Sequence, residues 1–474
     1  MTKNAISKAD AIWSYVGLAS RLGINFMLIP ILLAYLNEDE IGMWYVFMSF
    51  TALVTLLQLG FAPALGRNIA YCYAGARAVA RNGVVGGSDG ASVDWKMFAN
   101  LILLSIRFYR VIAIVAVVLL ATVGTLYIYY ISQGSEISAF LPWTVFCVSV
   151  FLNLYFTYFE SLLRGICEIA SVNKALTISV VVQFFACSIF LVAGFGLLAP
   201  VIAYALQGVL FRALCNKYFW SSSKLKGNLS VGECKDYRDK TYQKELYRDL
   251  SPNAYKDGLV SLATFLLSQS NTLICSAFLS LSEAGIYSLT VQIVNAVANF
   301  SSVMVNAYHP AIQVAYAQGD KESMRGLVGR STVAFVAMYV LGSIGVYIVV
   351  IPLLNLFKPS YVLDAPYLLL VFLYYFLYKN QSNFAAIISD TNIIPYTGSF
   401  VVSSIVGVLV TVVFVSIGMG MWGLILGHLL VQAMYNNWAW VRYVCRMLGI
   451  GLIPLLKQGA SFWVSKLCWG KEKR

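Results

Sequence analysis

Charged residues are scarce in this chain of 474 residues. Asp, Glu, Lys and Arg together make up 11% of it, against 59% hydrophobic residues, and the mean hydropathy is +0.75. Soluble globular chains carry about a quarter charged residues, so a soluble protein of this composition could not cover its own surface. Apolar runs of about twenty residues instead predict a helical membrane protein.

Motifs for catalysis or metal binding are also scarce. The nine cysteines form no CxxC pair, and the two histidines, His309 and His428, lie far apart, so neither a disulfide framework nor a metal site is expected. No GxxxxGK[ST] motif supports ATP hydrolysis, and Gly418–Gly423 matches GxGxxG without a preceding strand, which predicts a tight turn. The outward loops are too short to hold a catalytic domain, which favours a transporter over a membrane enzyme.

Hydrophobic periodicity predicts an all-α integral membrane protein with about twelve transmembrane helices. The predicted helices are 11–36, 41–66, 98–131, 139–165, 172–195, 197–220, 256–280, 283–308, 329–357, 363–387, 393–417 and 420–444. The tail after Arg446 is predicted to be an interfacial segment rather than a span. The first apolar run is too long for a cleavable signal peptide and should remain as helix one.

Basic residues concentrate in alternate loops, and they explain the net charge of +12 better than a nucleic-acid partner does. Lys3, Lys8, the central loop 221–255 and the C-terminal Lys471 all fall on one side of the predicted membrane. Acidic residues such as Glu283 mark the opposite side. Both termini are therefore predicted to be cytoplasmic.

The two halves of the chain carry matching segments, which predicts parallel structural repeats around a central cavity. Glu40-Ile41-Gly42 and Glu283-Ala284-Gly285 lie 243 residues apart. Pro63 and Pro310 lie 247 residues apart, so helix eight should be about one turn longer than helix two. The turns Gly194-Phe195-Gly196 and Gly418-Met419-Gly420 also correspond in helix order. The predicted domains are a six-helix lobe at 1–220, a cytoplasmic linker at 221–255, a second six-helix lobe at 256–445, and a cytoplasmic or interfacial tail at 446–474.

Three segments resemble the bacterial O-antigen and capsule polysaccharide flippases. They are Leu36–Trp44, Leu59–Arg67 and Phe278–Ser288. These flippases belong to the exporter superfamily that also holds the multidrug/toxin extruders and the lipid II flippase. The resemblance implies two lobes in a V shape, alternating access, and an undecaprenyl-diphosphate oligosaccharide as substrate, without a cofactor. It leaves open H⁺ or Na⁺ coupling, and also whether a polysaccharide polymerase and a chain-length regulator dock on the lobes. Family members often have an Asp where helix seven here has Asn271, so direct coupling at that position is in doubt.

A diphosphate requires cations in a cavity that excludes lipid. Arg21 is the first candidate, because a charge inside helix one costs about 2.5–3.5 kcal/mol unless it faces a cavity or a partner. Snorkelling or structural pairing is its alternative role. Lys379 is the second, unless helix ten ends there and the lysine is a cytoplasmic anchor. Arg107 could reach the cavity or anchor helix three. Glu160 and Arg164 are predicted to form a local i,i+4 ion pair.

A glycan requires amide groups in a polar pocket. Helix eight carries a stripe of amides at helical spacing, which either lines the cavity or bonds neighbouring helices. The predicted cavity-lining residues are Asn25, Asn271, Gln292, Asn295, Asn299 and Asn306. Other functions left open are a cation-coupled multidrug extruder of the same superfamily, with buried acids in its cavity, and a membrane enzyme such as a polysaccharide polymerase.

Overall fold

A computed structural model describes most of the chain. The described residues are 8–58, 61–73, 78–80, 83–85, 93–133, 137–166, 168–223, 225, 233–318, 320–357, 364–391 and 395–469. Within the helices, some further side chains lie outside the description, including those of Arg21 and Asn25. The described part forms two compact units, Met1–Phe265 and Leu266–Arg474, called unit 1 and unit 2 below.

The regular structure described in unit 1 is helical apart from one short hairpin. Its helices are α1 (Lys8–Tyr35), α2 (Glu38–Leu56), α3 (Phe61–Tyr73), α4 (Trp95–Leu119), α5 (Thr125–Ser132), α6 (Phe140–Tyr155), α7 (Tyr158–Gly165), α8 (Ile169–Val192), α9 (Leu198–Ser221), α10 (Glu233–Asp236) and α11 (Lys240–Ser268), the last of which ends in unit 2. The antiparallel strands β1 (Ala78–Ala80) and β2 (Gly83–Val85) pair Val79 with Val84.

Unit 2 contains helices alone in its described residues. They are α12 (Ser270–Phe278), α13 (Leu281–Ser301), α14 (Val303–Ala317), α15 (Lys321–Gly345), α16 (Ile351–Phe357), α17 (Ala365–Ser389), α18 (Thr397–Phe414), α19 (Gly420–Met434), α20 (Asn436–Leu448) and α21 (Leu452–Trp469). The described residues of the twelve predicted segments are thus mainly helical, and the all-α prediction is confirmed.

Seven helices in the described part are long and apolar enough to cross a membrane, or eight if the bent pair Gly258–Ser268 and Ser270–Phe278 is one span. The longest run, Thr397–Leu448, contains a chain reversal. A Cβ atom on Gly427 would lie 2.6 Å from the Cα atom of Thr411, and one on Gly423 would lie 3.1 Å from the Cβ atom of Phe414. Helices α18 and α19 therefore pack closely against each other, with glycines at the contact, as is typical of helix pairs in membranes.

The predicted repeats have the same local geometry in both units. Asn37 caps α2 by accepting a hydrogen bond from the amide of Glu40 (2.8 Å), and Ser280 caps α13 by accepting one from the amide of Glu283 (3.1 Å). These N-caps satisfy a free amide in the first turn. The repeated motif that contains Glu40 and Glu283 is thus a helix start used twice.

The two glycine turns also match. The φ angles are 81° at Gly194 and 50° at Gly196, and 90° at Gly418 and 55° at Gly420. Glycine adopts these left-handed conformations without the steric penalty that a Cβ atom imposes. The prediction that Gly418–Gly423 is a turn rather than a nucleotide-binding motif is confirmed.

A further correspondence was not predicted. Asp94 caps α4, and a π-helical turn follows at Leu120–Gly124; Asp320 caps α15, and a π-helical turn follows at Val346–Val350. Each turn adds a residue to the helical period and shifts the helix face beyond it. Sequence periodicity predicted each of these regions as one uninterrupted helix.

Helix boundaries differ from the predicted ones at several places, and the interfacial position of the tail stays a prediction. The predicted helix 41–66 is divided, because α2 ends at Leu56 and α3 begins at Phe61. Helix seven begins earlier than predicted, at Lys240. The second half of the predicted linker 221–255, which carries both acidic and basic residues, is therefore already helical. The tail forms α21, which packs on α15: the indole of Trp463 donates to the carbonyl of Arg330 (3.0 Å). The described tail is therefore held by a neighbouring helix of unit 2.

Candidate functional site

A cavity of about 1030 Å³ lies within unit 1. Its walls come from α2, α3 and α6 to α9. Several lining side chains carry amides or hydroxyls, namely Thr51, Thr55, Gln58, Asn153, Thr157, Ser161, Gln183 and Gln207. Pockets of this kind hold a polar ligand through a few placed hydrogen-bonding groups set among apolar side chains. The cavity is called the unit 1 cavity below.

Three charged side chains meet at the wall of the unit 1 cavity. Glu160 lies 3.0 Å from an Nη atom of Arg164 on the same helix and 3.1 Å from an Nη atom of Arg212 on α9. The predicted Glu160–Arg164 pair is confirmed, but it is part of a cluster of three. Two guanidinium groups for one carboxylate leave the cluster with a formal charge of +1.

Arg212 is the most enclosed member of this cluster. Its side chain is 14% exposed, against 28% for Glu160 and 49% for Arg164. Its Nε atom is buried and has no hydrogen-bond partner among the described residues. A buried N–H group without a partner is costly, so the contact with Glu160 alone leaves the hydrogen-bonding capacity of Arg212 incompletely satisfied.

Sequence reasoning missed Arg212. It lies within the predicted span 197–220, where a charge is expensive and usually faces a cavity or a partner. A cationic residue inside a predicted span was therefore the sequence feature that could have identified Arg212 as a candidate site residue. Its pairing with Glu160 could not be predicted from helical spacing, because the two residues lie on different helices, 52 positions apart.

Lys379 lies near the middle of α17 in unit 2. Its Nζ atom donates to the side-chain oxygen of Asn299 (2.8 Å), and the amide of Asn299 donates to Asn295 (3.3 Å). Since α17 continues to Ser389, the alternative that the helix ends at Lys379 is wrong. The structure brings together three of the predicted site residues.

The rest of the predicted amide stripe is divided. Gln292 and Asn295 on α13 are half-buried, and Asn299 is exposed. Ser302 forms the turn between α13 and α14, and the exposed Asn306 follows on α14. The stripe therefore does not follow a single uninterrupted helix.

Asn271 is buried between helices. It is 1% exposed, and its amide donates to the hydroxyl of Tyr287 (3.0 Å) and to the carbonyl of Leu424 (2.8 Å). These bonds join α12 to α13 and α19. In this conformation Asn271 contributes to helix packing, while its predicted contact with a glycan remains a prediction.

Arg107 lies on the exposed face of α4, and it is not among the described residues that line the unit 1 cavity. Its guanidinium donates to Gln243 (3.0 Å) at the start of α11, and Gln243 in turn donates to Asn100 (3.0 Å). These contacts hold α11 against α4. Arg21 and Asn25 lie on α1, but their side chains lie outside the described residues.

The chain was compared with known protein families, sequences and structures. No family model and no curated protein sequence matches the chain. A solved structure described as the inward-facing conformation of a multidrug resistance MATE family transporter of the MOP superfamily is similar over 93% of this chain and 99% of its own, with a TM-score of 0.60 and 13% identity.

Two further solved structures are similar. The outward-facing conformation of a MATE family transporter matches over 94% and 97% of the two chains, with a TM-score of 0.53 and 15% identity. A MATE transporter in complex with MaL6 matches over 94% and 98%, with a TM-score of 0.52 and 15% identity. At these identities the likeness concerns the fold alone: this chain is a multi-pass membrane protein with the fold of these MATE transporter structures.

Proposed function

We propose that this chain is an alternating-access exporter whose unit 1 cavity binds the anionic part of its substrate. The observation that carries the proposal is the excess of one guanidinium in the cluster of Glu160, Arg164 and Arg212. The substrate class that fits best is an undecaprenyl-diphosphate-linked oligosaccharide, moved from the cytoplasmic to the outer face of a bacterial inner membrane for surface polysaccharide assembly.

The chemistry of the cavity supports binding of the diphosphate and of the first sugars. Arginine binds phosphate oxygens through paired N–H donors, and such charge-assisted bonds are strong where water is excluded. In the proposed binding step a diphosphate takes the place of Glu160 beside Arg212. The nearby amides of Gln183 and Gln207 then bond the first sugar hydroxyls. Lys379 and its partner Asn299 form a separate cationic group within unit 2.

The second candidate is a multidrug extruder. The likeness to solved structures described as multidrug transporters supports it more directly than it supports the flippase. An extruder of organic cations needs a carboxylate that is free to pair with its substrate. In unit 1 that group would be Glu160, whose carboxylate is shared by two arginines, and this sharing favours an anionic substrate.

The proposed orientation places both termini in the cytoplasm. It rests on the excess of lysine and arginine in the N-terminus, the central loop and the C-terminal tail, since cytoplasmic loops carry this excess. A polysaccharide polymerase and a chain-length regulator remain proposed partners, and the coupling ion is open.

The test is complementation in the host after deletion of the gene. We expect deletion to leave the undecaprenyl-linked unit on the cytoplasmic face, and wild-type chain to restore its export. R212Q should lower the export rate by about tenfold or more, which corresponds to about 1.4 kcal/mol or more in the barrier, whereas R212K should keep part of the activity. K217Q removes an exposed cation from the same helix and serves as the matched control.

The contrary outcomes are distinct. If deletion leaves export intact but makes the host sensitive to organic cations, the extruder is the correct function. If R212Q exports as well as K217Q does at equal membrane abundance, Arg212 does not contact the substrate.

A further inference from the structure

A second cavity, of about 680 Å³, lies within unit 2. It runs between α17 and α20 and is closed at one end by the connection Gly449–Gly451 that leads into α21. We call it the α20 groove. Neither the unit 1 cavity nor Lys379 is part of it, so its role is independent of the function proposed above.

Two arginines line the α20 groove. Arg442 and Arg446 are one helical turn apart on α20, so their side chains share one face. Both are exposed, and neither has an ion-pair partner among the described residues. Two unneutralised guanidinium groups side by side repel each other, and a bound anion relieves that repulsion.

An unpaired amide lies in the same groove. Both the Nδ2 and the Oδ1 atoms of Asn437 are buried, and neither has a hydrogen-bond partner among the described residues. Asn437 lies five residues before Arg442 on α20 and lines the groove with Asn380 of α17. Buried polar groups are normally satisfied, so an amide of this kind beside two cations indicates a ligand with oxygen atoms.

The remaining wall of the groove is apolar and open. Trp438 is 46% exposed and Leu452 is 40% exposed, and both line the groove with Val441. The groove therefore combines cations with an exposed apolar surface. A soluble anion would use the cations alone, whereas a phospholipid would use both.

We propose that the α20 groove binds an anionic phospholipid of the bilayer. The headgroup phosphate lies between Arg442 and Arg446 and accepts a hydrogen bond from the amide of Asn437, while an acyl chain lies along Trp438 and Leu452. Basic pockets between transmembrane helices recognise anionic headgroups by this combination. Bound lipid would join α17 to α20 and stabilise unit 2.

The test measures lipid binding by the purified full-length chain with native mass spectrometry and thermal unfolding. The probes are phosphatidylglycerol, phosphatidylcholine and inorganic phosphate. Wild-type chain should retain phosphatidylglycerol in preference to phosphatidylcholine and unfold at a higher temperature with it. R442Q/R446Q should weaken phosphatidylglycerol binding by about tenfold, since each basic residue near the surface contributes a several-fold factor.

The control R238Q/K244Q removes two exposed cations from unit 1 and should leave this binding unchanged. N437L removes the amide without changing the charge, and it should weaken phosphatidylglycerol binding. This variant tests the groove independently, in case R442Q/R446Q does not fold. Three results would overturn the proposal. The first is a loss of phosphatidylglycerol binding in R238Q/K244Q equal to that in R442Q/R446Q. The second is unchanged phosphatidylglycerol binding by N437L. The third is a rise in unfolding temperature with inorganic phosphate alone that equals the rise with lipid, which would make the groove a site for a soluble anion.

Discussion

Lys379 illustrates how a single residue acquires a role from its position in a helix. It lies near the middle of α17 and is half-buried, so its ammonium group needs hydrogen-bond partners. Asn299 accepts one of its hydrogen bonds at 2.8 Å, and an ammonium group has three donors. The remaining donors can bind an anionic or hydroxyl-rich substrate.

Substitutions at Lys379 test this role. K379Q keeps a donor for Asn299 but removes the charge, and we expect it to lower transport of the anionic substrate by about tenfold. K379R keeps the charge and should retain most of the transport. The measurement is the initial transport rate at matched protein abundance, with K457Q on α21 as the control. Equal loss in K379R and K379Q, together with a lower unfolding temperature, would assign Lys379 a purely structural role.

Residue types could be predicted from the sequence, but their partners could not. Helical spacing was sufficient for Glu160 and Arg164, because both lie on one helix. Asn271 and Asn299 were both predicted to line a cavity, yet the first is buried between helices and the second is exposed beside Lys379. That difference depends on which helices pack together, information that a single sequence does not contain.

Among the helices, the hairpin of α18 and α19 depends on glycines at the contact. A Cβ atom on Gly427 would lie within 2.7 Å of two backbone atoms of Thr411, whereas one on Gly398 would meet nothing within 4 Å. The contact at Gly427 is made with backbone, which cannot rotate away. Close helix approach in a membrane needs such small residues.

We therefore expect G427A to lower the free energy of unfolding by about 1–3 kcal/mol, the usual cost of overpacking. G398A should be neutral or stabilise the chain by up to about 1 kcal/mol, because alanine is the better helix former. Thermal unfolding in detergent compares the two variants. A loss of stability in G398A equal to that in G427A would contradict the packing explanation.

The start of α15 gives a prediction that depends on pH. The hydroxyl and the amide of Ser323 donate to Asp320 at 2.6 and 2.9 Å, and these bonds hold the pKa of the Asp320 carboxyl below its usual value. The ionised form therefore stabilises the folded chain above the unfolded pKa of about 3.9. That contribution is lost as the pH falls through the folded pKa.

Asparagine is also a good N-cap, so D320N isolates the effect of charge. Wild type should unfold at a higher temperature than D320N at pH 7, and the difference should disappear as the pH falls through the lowered pKa of the folded Asp320. E322Q serves as the control, since the side chain of Glu322 makes no hydrogen bond among the described residues. A difference between wild type and D320N that does not change with pH would rule out the charged cap.

The repeated helix starts and the glycine turns could be predicted because they depend on a few consecutive residues. The starts of α2 and α13 and the turns at Gly194 and Gly418 were identified from matching segments of sequence. The π-helical turns at Leu120–Gly124 and Val346–Val350 were not, because their sequences remain apolar throughout. Hydrophobicity distinguishes a span from a loop but does not resolve one extra residue in a helical turn.

At the scale of the whole molecule, composition alone was sufficient for the fold class, and the halves were recognisable as repeats. The site within unit 1 could not be predicted from the sequence. Arg212, Glu160 and the surrounding amides come from helices separated by long stretches of chain, so their convergence follows from packing. The charge of that cavity, rather than the fold, distinguishes the two candidate substrates.

The most direct test of an anionic substrate is transport by the purified chain in proteoliposomes. The two probes are a polyprenyl-diphosphate oligosaccharide with a fluorescent label and a fluorescent organic cation, each measured with wild type, R212Q and K217Q. The account predicts that wild type and K217Q move the diphosphate lipid at similar rates, that R212Q does so at least about tenfold more slowly, and that none moves the cation. Transport of the cation by wild type, with no movement of the diphosphate lipid, would contradict it.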